Sequence, residues 1–188
     1  MPASLVSTSV IEKEIEDLIS TSKLYITNRE ESELRNIKNI VGILRSQIDN
    51  IQSRSAHEVK LKDALIIKRL NKVISRFQEC TELLEKIKRP KPLYEEIDTG
   101  RMLDVLLATI KTIINYDQRQ NTIDKERLDS DLKFIESLED QHKRVLMTFL
   151  MQDWHNLREV LALMKICEIY KTICEDLIEL YSLIDMRE

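Results

Sequence analysis

Residues able to do chemistry are few in this chain, and they are scattered. There are three histidines, His57, His142 and His155, and three cysteines, Cys80, Cys167 and Cys174. Glu139 and His142 stand three apart, a spacing that puts both on one helix face. Carboxylate-bridged di-metal bundles use two such Glu-x-x-His pairs and two further acids. Only one pair exists here, so a surface ion pair is the simpler expectation for Glu139 and His142. Cys167 and Cys174 are seven apart and share a face, but two thiols without a nearby His make a poor zinc site. They read as small apolar residues packed in a core. Glu168 and Glu175 share a face in the same way. No metal or cofactor is expected; if a cation were held, these two acids are the candidates, with help from a neighbouring helix. Otherwise they mark a solvated stripe.

The motifs that build most active sites are missing. The sequence has no Gly-x-Gly-x-x-Gly, no P-loop, no Gly-x-Ser-x-Gly and no His-Glu-x-x-His. Nor does it carry the dense acidic cluster that a magnesium-dependent helical enzyme, such as a nucleotide pyrophosphohydrolase, would need. The densest basic patch is Lys86, Lys88, Arg89 and Lys91. It could contact an anion or serve as a nuclear-import tag. The plainer reading is a set of cations at the negative end of a helix.

Composition explains why the motifs are absent. Gly counts 2 and Pro counts 3 in 188 residues. Sheets, barrels and phosphate loops need far more turn formers, and average usage is about 7% Gly and about 5% Pro. The expected fold is all-α. Charged residues make up 33%, yet the net charge is only −4, too small to imply a polyanion partner for the whole surface. Aromatic content of 5% argues against base-stacking platforms, so nucleic acid is not an expected partner. An odd number of Cys without a CxxC pair points to a reducing compartment. No apolar run reaches the roughly 18 residues of a membrane span, and the first residues do not resemble a secretory signal. A cytoplasmic location follows as the expectation, or a nuclear one if the basic patch is an import signal.

Six stripes of apolar residues at helical spacing run along the chain. The first holds Val10, Ile11, Ile15, Leu18, Ile19 and Ile26, and the second Leu34, Ile37, Ile40, Val41, Leu44, Ile48 and Ile51. The third runs from Leu61 and Leu65 through Leu70, Val73, Phe77 and Leu84 to Ile87. Capping-box spacing marks their starts at Ser9/Glu12, Asn28/Glu31 and Ser55/Glu58. Pro90 and Pro92 then break the pattern. Asp98-Thr99 and Asn121-Thr122 cap the fourth and fifth stripes, and the sixth begins near Asp153 with Leu157 and Leu161. The expected architecture is an elongated six-helix bundle of two tandem three-helix units. Residues 1–89 form the first, 90–97 a linker and 98–188 the second, with one continuous domain as the alternative. Sliding the chain on itself by about 96 residues aligns the halves, with Val73 on Ile169 and Phe77 on Ile173, which suggests an internal repeat.

The sixth helix is apolar on more than one face. It either runs through the middle of the bundle or keeps a face for a partner. Leu163, Met164, Tyr170, Ile178 and Tyr181 are the candidate partner-binding residues, on condition that they are exposed.

Two three-helix units with Glu168…Cys174-Glu175-Asp176 in the last helix resemble the PhoU-like accessory proteins of phosphate transporters. The resemblance implies a regulator of phosphate uptake that contacts a transporter from the cytosol. It would imply metal clusters held by an acid-x-x-x-Asp motif in each unit. Here Thr172 follows Glu168 by four, and Lys72 and Arg76 stand at the equivalent places in the first half. The leading expectation is a non-enzymatic interaction protein: a regulator, adaptor or chaperone that binds another protein, or a second copy of itself, through helix faces.

Overall fold

The computed structural model describes residues 8–28, 30–55, 61–87, 97–119 and 125–185. Six helices account for nearly all of them: α1 (Thr8–Asn28), α2 (Glu31–Ser55), α3 (Leu61–Lys86), α4 (Thr99–Arg119), α5 (Lys125–Gln152) and α6 (Leu157–Asp185). No strand occurs among the described residues. The all-α bundle expected from the apolar stripes is the observed fold.

The helix ends follow local chemistry only in part. Asp98 caps α4 as anticipated, since its Oδ1 accepts from the Arg101 amide at 2.9 Å. Asn28 instead closes α1 and donates from Nδ2 to Glu33 Oε1 at 2.8 Å. Ser9 lies inside α1, and α2 continues through Ser55, so neither starts a helix. Glu58, the Asn121-Thr122 cap and the Pro90/Pro92 pair lie outside the described residues.

α1 packs on α2 and α4, α2 packs on α3, and α6 packs on α3, α4 and α5. Helices of the two halves therefore meet at α1/α4 and α3/α6. Their buried residues join in a single core, with Ile15, Leu44, Leu70 and Phe77 from the first half against Leu106, Ile135, Ile166 and Ile173 from the second. α6 is the central element. Its Val160, Leu163, Ile166, Cys167, Ile169, Tyr170, Ile173, Cys174, Leu177, Leu180 and Tyr181 are all buried. At 1.5 Å per residue its 29 residues span about 44 Å.

Several polar groups lie within this core, and each has a partner that offsets its desolvation. Ser22, Thr81 and Thr109 donate their hydroxyls to the carbonyls of Leu18, Phe77 and Val105 one turn back. Asp176 on α6, only 4% exposed, accepts from Arg69 at 2.5 Å and from Arg76 at 2.6 Å, both on α3. Arg69 also pairs with Glu179. This clamp sets the register of α3 against α6, because both guanidiniums must meet one carboxylate.

A candidate docking surface at the α5–α6 corner

The reactive residue types do come together, but inside the core. His142 Nδ1 lies 3.6 Å from the Cys167 thiol, and both side chains are buried. Cys80 of α3 and Tyr170 of α6 are buried in the same core. Such a thiol–imidazole pair is the arrangement of a nucleophile and its base. Here burial works against it. Desolvation pushes the thiols of Cys80, Cys167 and Cys174 up to about 12, so almost no thiolate forms near neutral pH. Burial likewise pulls the His142 imidazole below its usual value, against a small opposing pull from the Asp98 carboxylate. These groups pack rather than react.

Glu139, one turn from His142, is 3% exposed. Lys143 lies 2.6 Å from its Oε1 and Lys171 of α6 lies 3.0 Å from its Oε2. Burial alone would raise this carboxyl, but the two ammonium groups outweigh it and hold the carboxyl below the usual range. The surface ion pair expected for Glu139 and His142 is corrected: Glu139 is buried and pairs with Lys143 and Lys171, and the Lys171 contact ties α5 to α6. A similar contact lies further along. The Thr109 hydroxyl of α4, which donates to the Val105 carbonyl, also lies 3.3 Å from the Asp131 carboxylate of α5, and burial raises the Asp131 carboxyl despite that neighbour.

Glu168 is exposed and pairs with Lys165 at 3.2 Å, and Glu175 is half-buried. Among the described residues, no group of three His, Cys, Asp or Glu side chains is placed to hold a metal ion. Lys72 is exposed on α3, while Arg76 is bound to Asp176. Lys86 is exposed at the end of α3, and Lys88, Arg89 and Lys91 lie outside the described residues. His155 sits on the surface, and His57 lies outside the described residues.

The partner-binding candidates on α6 need correction. Leu163, Tyr170 and Tyr181 are buried against neighbouring helices, so they build the core and present nothing outward. Met164 and Ile178 are half-buried and pack on that core. The physical reason is α6's central position: its extra apolar faces are covered by α3, α4 and α5 of the same chain.

Leu24, Ile43, Leu65 and Phe134 are exposed singly on other helices, and the remaining five exposed large apolar residues lie along the chain at the corner between α5 and α6. Met147 and Met151 occupy one outer face of α5, and Leu157 and Leu161 one outer face of α6. Trp154 stands between them. Met151 is 86% exposed, Trp154 71% and Leu161 54%. Half-buried Leu150 and Met164 lie on the adjoining turns and join the patch to the core.

The corner is held rigidly. Gln152 ends α5, and the Asp153 amide donates to the Phe149 carbonyl at 2.9 Å. Asp153 then caps a single 3-10 turn, Trp154–Asn156. Its Oδ1 accepts from the His155 amide at 3.0 Å and its Oδ2 from Asn156 Nδ2 at 2.8 Å. The Asp153 carboxyl is held below its usual value by the His155 amide first, and then by the imidazole, 2.9 Å away. The Trp154 and His155 rings stack with centroids 4.3 Å apart. Trp154 is thus a large apolar side chain on a fixed turn, which loses little freedom when it is buried by a partner.

The sequence held a sign of this surface. Leu157 and Leu161 read as the start of the core stripe that continues at Ile166. Five residues from Leu161 to Ile166 turn a helix by about 140°, so the two cannot share one narrow face. Leu65 on α3 departs from its stripe in the same way and is exposed.

No protein-family model matches the chain, and no curated protein matches it. Among the described residues, no helix is long and apolar enough to cross a membrane.

Proposed function

We propose that this chain is a non-enzymatic interaction protein of the cytoplasm, docking another protein on the α5–α6 corner. The supporting observation is the grouping of five exposed large apolar side chains around one capped turn: Trp154 on the turn, Met147 and Met151 at the end of α5, and Leu157 and Leu161 at the start of α6. Exposed apolar residues scattered singly are ordinary, whereas a contiguous group marks a contact surface. Trp is the side chain most enriched among binding hot spots, and Met adapts its shape to a partner's surface.

The test is a comparison of the chain with a Trp154→Ser/Leu161→Glu double variant, both used as bait in native cells. A partner held at fixed stoichiometry by the first and lost from the second, at unchanged thermal stability, supports the reading. A second copy of the chain as that partner would make it a dimer interface. Identical partners on both baits refute it.

A second reading rests on the helix pattern. Helix starts at residues 8, 31 and 61 recur at 99, 125 and 157, and α1 and α4 are both 21 residues long. We infer two tandem copies of a three-helix unit, which favours a PhoU-like regulator of phosphate uptake. Iron, zinc or manganese at fixed stoichiometry in the purified protein, lost on Glu168→Gln/Glu175→Gln, would support it.

A further inference from the structure

Away from the corner, a recess of about 300 Å³ lies between α3 and the end of α6. Leu65, Lys68, Arg69 and Lys72 line it from α3, and Glu179, Ser182 and Leu183 from α6. Its charges are not balanced. Arg69 is committed to Asp176 and Glu179, and Arg76 one turn beyond the recess is committed to Asp176. Lys68 and Lys72, one turn apart, are exposed, and neither makes an ion pair among the described residues. Among the described residues, these four cations against Asp176 and Glu179 leave two positive charges here, in a chain whose net charge is −4. Glu179 is the one acid on the wall among the described residues, and Arg69 pairs with it. The Ser182 hydroxyl donates to the Ile178 carbonyl, so it adds no donor.

The two lysines stand over an apolar surface. Leu65 is 41% exposed, and Leu183 is half-buried across from it. The geometry points to a binding site for a small soluble amphiphilic anion. Its carboxylate, sulfate or phosphate head would sit between Lys68 and Lys72, and a short alkyl body would lie against Leu65 and Leu183. Two ammonium groups act as point charges and accept any of these heads, without the planar selectivity of a guanidinium. The volume sits at the small end of ligand pockets, about 300–1,000 Å³. That suits a chain of a few carbons rather than a lipid bilayer surface. The site is independent of the corner and shares no residue with it.

The probe is octanoate, titrated into the full chain and followed by amide chemical shifts. Saturable one-to-one binding is expected, with shifts confined to residues 65–72 and 179–183. Acetate, which lacks the tail, and octanol, which lacks the charge, should each bind at least tenfold more weakly. Lys68→Glu/Lys72→Glu should weaken octanoate at least tenfold while helicity and thermal melting stay as they were. Leu65→Gln should weaken octanoate about threefold and leave acetate unchanged. Equal affinity for octanoate and octanol, or octanoate binding that survives the double lysine variant, would overturn the assignment. So would sedimentation with phosphatidylglycerol vesicles in the absence of octanoate binding.

Discussion

Removing Asp176 tests how α3 and α6 are held together. Its carboxylate is almost wholly buried and takes one hydrogen bond from each of Arg69 and Arg76. Asp176→Ala deletes both and strands two guanidiniums at the interface. Hydrogen bonds to charged groups are worth about 1.5–3 kcal/mol each, and breaking a buried ion pair from one side costs about 3–5 kcal/mol. Two features pull the figure down. Arg69 keeps Glu179, and both arginines retain some solvent contact, at 22% and 31% exposure. The expected loss is about 3 kcal/mol. For a chain of this size that lowers the melting temperature by roughly 6–12 °C. Urea unfolding followed by circular dichroism would measure it, with an unchanged denaturant slope showing that only stability has moved. Replacing the three charged residues together, by Asp176→Leu, Arg69→Met and Arg76→Met, should recover most of the loss, because no charge is left stranded. A loss below about 1 kcal/mol for Asp176→Ala would place this contact with ordinary surface ion pairs and refute the clamp.

Other outcomes follow from the same core. His142 binds its proton less readily when buried than in the unfolded chain, where it titrates near 6.5. Below that pH the unfolded chain therefore binds more protons, and stability should fall as pH drops from 7 towards 5. His142→Gln should flatten that slope, and an unchanged slope would show that His142 is not responsible. All three thiols should resist Ellman's reagent in the folded protein at pH 8 and react together on adding guanidinium, since each is buried and raised to about 12. Rapid reaction of any one would show an opening absent from this packing. Gly42→Ala should stabilise the chain by roughly 0.5–1 kcal/mol. Gly42 lies inside α2, and an added Cβ meets no atom within 4 Å. A destabilised variant, measured in urea, would mean that this face of α2 is more crowded than it stands here.

Much of the fold could be read from the spacing of apolar residues. Val73, Phe77, Leu84, Ile166, Ile173 and Leu177 were expected inward, and all are buried. Periodicity reports which face of a helix is apolar, so it serves well wherever one face is covered. It fails for α6, where nearly every face is covered. There Leu163, Tyr170 and Tyr181 look like surplus apolar surface, and only the positions of α3, α4 and α5 show that they are core. The docking corner was hidden for the opposite reason. Leu157 and Leu161 match a helical repeat locally, and their exposure depends on where α5 turns into α6 at Asp153. The Arg69–Asp176–Arg76 clamp joins residues 107 and 100 apart in the chain, and no local spacing encodes it.

The central claim, a partner seated on the α5–α6 corner, is tested most directly by site-specific photocrosslinking in native cells. Benzoylphenylalanine would be placed in turn at Met151, at Leu161 and, as a control, at Ser46 on the exposed face of α2. A discrete adduct of one mass is predicted from Met151 and Leu161 and none from Ser46. No adduct at the corner, or the same adducts from all three positions, would contradict it.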